Sequence, residues 1–111
     1  MPSARRDISI AISGEVDGER LGDAVREALG LDASSVESVE VRSATLGQEL
    51  PIAARERLGM VSDQWNVLLR IVLRDLDRTL TADEANRLRD RIYAALHEGS
   101  VDQWAIGKPS L

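Results

Sequence analysis

One stretch, Asn66 to Gly99, constrains the fold of this chain more than any other. Asn66 to Leu73 loosely alternates apolar and polar residues and is rich in branched side chains, the pattern of a β-strand. Arg74 to Leu80 makes a charged corner. Thr81-Ala-Asp-Glu84 then has the spacing of a capping box, in which the Thr81 hydroxyl accepts from the Glu84 amide and the Glu84 carboxylate accepts from the Thr81 amide. Ala85, Leu88, Ile92, Ala95 and Leu96 follow on one helical face, and Gly99 is expected to stop the helix in a left-handed conformation. A strand that turns through a short corner into an amphipathic helix needs a sheet and a helix layer sharing one core.

The remaining segments supply that sheet. Asp7 to Ser13 alternates strictly, with Ile8, Ile10 and Ile12 on one side. Glu19 to Leu29 reads as a helix, with Asp17 as N-cap, Gly30 as stop, and Leu21, Ala24, Val25, Ala28 and Leu29 on one face. Gly22 inside it costs up to ~1 kcal/mol relative to Ala, a cost consistent with close packing on the sheet. Leu31 to Ser35 reads as polar loop. Val36 to Leu46 contains a second alternating strand, with Val39 and Val41 inward and Glu40 and Arg42 outward. Gly47 to Trp65 is the least regular part, an expected excursion between two strands of one sheet, with a short helix over Pro51 to Leu58 stopped by Gly59. Val101 to Ile106 is expected to add a short last strand.

This order predicts an α+β, ferredoxin-like βαββαβ sandwich: an antiparallel sheet with two helices on one face and the other face open. Val67, Leu69, Ile71 and Leu73 would join the isoleucines and valines beneath the helices. Ser9, Ala11, Ser13, Glu40, Arg42, Leu68, Arg70, Val72 and Arg74 would line the open face. At 111 residues the chain is expected to form a single domain over 1–111, with a core of about 6–106 and a tail at 107–111.

The residues offer little for catalysis. There is no cysteine, so disulfides and thiolate metal sites are excluded, and His97 is the sole histidine. It falls in the last turn of the main helix and reads as a surface or helix-capping residue. No Gly-x-Ser-x-Gly elbow, P-loop or Gly-x-Gly-x-x-Gly is present, so neither acyl transfer nor nucleotide phosphate binding has a recognisable carrier. Asp75, Asp77, Asp83, Glu84 and Asp90 interleave with Arg74, Arg78, Arg87, Arg89 and Arg91, the pattern of a solvated face with modest ion pairs. No cofactor or metal is expected. No segment approaches the ~20 apolar residues of a membrane span. No signal-peptide pattern follows Met1, and the expected location is cytoplasmic.

Binding is the remaining class. Arg42, Arg70 and Arg74 share the outward parity of their strands, where guanidinium groups on an open sheet can grip phosphates. The competing reading is cross-strand pairing, for example Arg70 with Glu40. A formal net charge of -5 opposes polyanion binding overall, and 3% aromatic residues with no Phe leave few stacking platforms. Trp65 and Trp104 are the candidates, balanced between packing and base stacking.

The series Asn66-Val-Leu-Leu-Arg-Ile-Val-Leu-Arg74, Asp77-Arg-Thr-Leu-Thr81, Asp83-Glu-Ala-Asn86 and Leu88-Arg-Asp-Arg-Ile92 resembles the ferredoxin-fold anticodon-binding domain of phenylalanyl-tRNA synthetase. Pro2 with Arg6-Asp7-Ile8-Ser9 resembles that family's opening strand, and Val36 to Val41 its second. The resemblance spans roughly residues 2–99. It implies an RNA-binding domain that contacts the anticodon region of phenylalanine tRNA through the open sheet, using Arg42, Arg70 and Arg74, with Arg78 at the corner. Such a domain would serve an aminoacyl-tRNA synthetase in protein biosynthesis without charging tRNA itself. Its partners would be tRNA and synthetase subunits. The acidic balance motivates the alternative, a protein-interaction module that kept the fold and lost RNA binding, with Leu68 and Val72 as contacts, for instance in a homodimer of facing sheets.

Overall fold

The computed structural model describes residues 3–75 and 77–99. Its elements are strand β1 (Ala4–Ile12), helix α1 (Gly18–Leu29), strand β2 (Val36–Leu46), helix α2 (Ile52–Leu58), strand β3 (Trp65–Leu73) and helix α3 (Ala82–Leu96). The sheet order is β1-β3-β2, antiparallel throughout. This is an α+β, ferredoxin-like arrangement. The last strand expected at Val101–Ile106, Trp104 and the tail at 107–111 lie outside the described residues.

Alternation decides which side of the sheet is roofed. Ile8, Ile10 and Ile12 stand opposite Leu69, Val67 and Trp65, and with Ile71 and Leu73 they form one cluster with Leu21, Val25 and Leu29 of α1 and Ala85, Leu88, Ile92 and Leu96 of α3. Trp65 faces this side, between Ile12 and Leu46, so it packs against the core and does not stand on the open face. Both helices begin as their residues dictate. Asp17 accepts from the Glu19 and Arg20 amides, and the Thr81–Glu84 capping box is complete. Arg91 ties the helices together, donating to Asp32 (2.6 Å) and to the Leu29 carbonyl at the end of α1 (3.0 Å).

Several sequence-based expectations need correction. Gly30–Ser35 is a 3-10 helix, not loop. Gly99 does not stop α3 in a left-handed conformation. The helix ends at Leu96, and His97 leaves in extended conformation (φ -69°, ψ 125°), whereas Gly30 and Gly59 do have positive φ. Ala95 is exposed and Tyr93 buried in its place. Most consequentially, the second face is not open along its whole length. Ala11 has the parity of that face, yet it is fully buried beneath Leu58 and Met60, with Leu50 alongside.

The segment between β2 and β3 achieves this cover because several polar anchors hold it. Gly47 and Gln48 donate to the Gln64 and Ser62 carbonyls (2.7 and 3.0 Å). The buried Gln64 side chain accepts from the Val61 amide and donates to the Ser13 hydroxyl. His97 completes the attachment. Its Nδ1 accepts from the Ala11 amide (3.0 Å), so its proton sits on Nε2, which donates to the Leu58 carbonyl at 3.1 Å. The ring stacks on Tyr93, with centroids 4.7 Å apart. The sole histidine is therefore a clamp joining α3, the edge of β1 and α2, each of whose buried polar groups needs that partner.

Two substitutions test this attachment by urea unfolding. A Cβ at Gly47 would stand 2.6 Å from the Val61 carbonyl oxygen and 3.0 Å from that of Gln64, both backbone atoms. Gly47→Ala is expected to destabilise by about 1–3 kcal/mol, the range for overpacking. His97→Ala leaves the Ala11 amide and Leu58 carbonyl without partners, and should destabilise by about 1–3 kcal/mol while speeding hydrogen exchange at Ala11.

Candidate nucleic-acid interface

The part of the second face left uncovered is built by register. Asp7, Arg70 and Glu40 stand side by side across β1, β3 and β2. Arg5 and Ser38 flank Val72 in the next row, and Ser9 and Ser43 flank Leu68 in the row on the other side. Ser9 links its row to the one beyond by donating to Asn66 Oδ1 at 2.7 Å, Asn66 standing opposite Ala11. Two irregularities in β2 shape the edge, one between Val36 and Ser38 and one between Val41 and Ser43. Each inserts one residue, Glu37 and Arg42 respectively, which is how a bulge re-aims a side chain.

Every one of the four arginines singled out from sequence has a carboxylate partner. Arg70 makes a two-pronged contact with Asp7, Nε to Oδ1 at 2.9 Å and a terminal nitrogen to Oδ2 at 3.1 Å. Its partner is therefore Asp7 on β1, while Glu40, its neighbour on the other side, is held by Arg42 at 3.0 Å. Arg74 lies 3.2 Å from Glu37, and its backbone amide donates to the Ser35 carbonyl. Arg78 grips both carboxylate oxygens of Glu84, one at 2.7 Å, and lies 3.9 Å from Asp75.

The structure thus separates the set. Arg42 and Arg70 belong to one belt across the sheet, with Arg5, Asp7 and Glu40 between and beside them. Three arginines against two carboxylates give the belt one net positive charge in a chain of net charge -5. Arg74 sits at the end of β3, and Arg78 belongs to the corner ahead of α3. Arg5 was not singled out from sequence; its odd-numbered parity with Asp7 was the available signal. Arg55 and Arg74 each have a buried Nε without a hydrogen-bond partner.

Electrostatics follow the pairing. The hydrogen bond from Arg70 lowers the Asp7 carboxyl below its ordinary range, assisted by the charges of Arg42 and Arg5, and Asp7 raises Arg70 in return. Arg78 holds Glu84 down to about 2, helped by the Thr81 amide. No cluster of carboxylates and histidine able to hold a metal ion occurs among the described residues, and no described helix is long and apolar enough to cross a membrane.

Comparison with known proteins bears on the same chain. No family model matches it. It is 30% identical over 107 residues to the phenylalanine–tRNA ligase beta subunit of Chlamydia muridarum (strain MoPn / Nigg). The match covers 96% of this chain and 12% of that protein.

Glu84 yields a pH prediction. A carboxylate held low contributes its full stabilisation above the ordinary value of 4.5 and loses it as pH falls through about 2. Glu84→Gln keeps the capping geometry but removes the charge. The wild type should exceed the variant in stability above pH 4.5, and the two should converge near pH 2, as followed by circular dichroism during acid–urea unfolding. Across nearly its full length, this chain is similar to a small segment of a phenylalanine–tRNA ligase beta subunit.

Proposed function

We propose that this chain is an accessory domain of the phenylalanyl-tRNA synthetase kind, which binds the anticodon region of phenylalanine tRNA in the cytoplasm and does not aminoacylate it. The observation that carries this reading is the nearly full-length match to a segment making up 12% of a ligase beta subunit, on a ferredoxin-like fold. The belt of Arg42 and Arg70, with Arg74 and Arg78 beyond it, is the proposed contact surface. The pairing of these arginines is compatible with it. Partly exposed ion pairs contribute little net stability and can exchange a carboxylate for a phosphate. Arginine suits that exchange because its planar fork meets either group with two hydrogen bonds. The domain as a whole, 1–111, would act as one binding unit.

A second reading is favoured by the same pairing. With each arginine already opposite a carboxylate, the face presents alternating charges instead of a free basic patch, as suits a protein-interaction module with Leu68 and Val72 at its centre. Three strands spaced by ~4.8 Å and about six residue steps of ~3.4 Å give an uncovered strip of only about 300 Å². A stable partner usually buries about 800 Å² on each side. A homodimer of facing sheets would therefore have to recruit the neighbouring α2 segment.

Gel-shift titration with phenylalanine tRNA at several salt concentrations distinguishes these readings. On the first, wild type binds at low salt, and Arg70→Ala with Arg42→Ala weakens binding and reduces the salt slope by about one for each phosphate no longer neutralised. Unchanged affinity and slope in that variant rule out the belt as the contact surface. Absence of binding by folded wild type at low salt favours the interaction module.

A further inference from the structure

A cleft lies on the roofed side of the sheet, along α1 and beside the ends of β1 and α3. Its volume is about 800 Å³, within the ~300–1,000 Å³ typical of sites that accept ligand-sized groups. The floor is apolar, formed by Ile12, Leu21, Ala24, Ala28, Ala95 and Leu96. Three of these are alanines: Ala24 and Ala28 lie half-buried against the core on α1, and Ala95 is exposed near the end of α3. Their short side chains leave unfilled the space that leucines would occupy. The cleft therefore borders the half-buried margin of the α1 stripe and the end of α3.

The rim is acidic. Among the described residues, Glu15, Asp17, Glu27 and Glu98 surround the mouth against a single Arg20. Asp17 is committed to capping α1, and Glu98 accepts from the Ser13 amide at 3.0 Å. Glu15 and Glu27 make no ion pair among the described residues, which leaves two carboxylates beside an apolar floor. Phosphate would be repelled here, so an RNA ligand does not fit. A second copy of this chain fits poorly too, because its net charge of -5 is repelled by the acidic rim.

We propose that this cleft docks an amphipathic, net-basic segment of a partner polypeptide. Apolar side chains would seat on the Ala24–Ala28–Ala95 floor, and Lys or Arg groups would meet Glu15 and Glu27. The proposal is independent of tRNA binding, which concerns the other face of the sheet. Complementary charge at the rim gives orientation and encounter rate, while the floor supplies the buried apolar contact.

The test uses the full chain and a fluorescent 18-residue Leu/Lys peptide designed as an amphipathic helix, with a scrambled peptide of the same composition as control. Fluorescence anisotropy should show binding of the helix-forming peptide only, with amide shift changes centred on Ala24, Ala28 and Ala95. Ala95→Trp, at an exposed position, should fill the cleft and weaken binding at least tenfold. Glu15→Lys with Glu27→Lys should do the same without unfolding the chain. Equal binding by the scrambled peptide, full affinity in either variant, or shift changes elsewhere would overturn the proposal. So would nuclear Overhauser contacts from the Ala24 and Ala28 methyls to the Trp104 ring in the free chain, because the occupant would then be residues 100–111 of the chain itself.

Discussion

Strand β3 is hydrogen-bonded on both edges and roofed on one face, so Val67, Leu69, Ile71 and Leu73 have no solvent exposure at all. Everything else is arranged around that row. It sets the register of β1 and β2, because a slip of one residue on either side would turn a full set of branched side chains from the core to the other face. It also fixes where the intervening polar residues go. Arg70 emerges between Leu69 and Ile71 and must meet whatever β1 and β2 bring beside it, which is Asp7 and Glu40.

That constraint produces a face whose charges alternate across the strands. Arginine and carboxylate stand next to each other because the two neighbours of the central strand each present an acid at the same level. The surface is therefore nearly neutral while carrying many guanidinium groups. Such a surface can exchange partners without first gathering charge, and its long-range attraction for a polyanion is weak. The local positive excess and the global acidity act in opposite directions on any charged partner that approaches.

The single histidine illustrates how the loose segment between β2 and β3 becomes part of the core. His97 accepts from β1 and donates to α2, and Glu98 follows it by donating its amide to the Ala11 carbonyl at 2.8 Å. These bonds bring the end of α3 round the edge of the sheet to meet α2 from the far side. Leu58 and Met60 can then lie over Ala11, whose small side chain makes room for them. The histidine's place near the C-terminal end of α3 was readable from the helical spacing, although it caps the helix in extended conformation instead of lying in its last turn. Its two partners, 86 and 39 residues away, were not.

The sequence by itself determined the elements and their inward faces: the alternation of Ile8, Ile10 and Ile12, the caps at Asp17 and Thr81, and the stops at Gly30 and Gly59. These depend on backbone periodicity and on hydrogen bonds between residues a few positions apart, so they are written locally. The exposed Ala95 and the extended exit at His97 departed from that local pattern because distant contacts prevailed. Only the tertiary structure decided that Arg70 would pair with Asp7, that α2 would cover Ala11, that Trp65 would face the core and that a cleft would open between α1 and α3. Parity tells which side of a sheet a residue faces; it carries no information about what lies on that side, because the covering atoms come from residues far away in the chain.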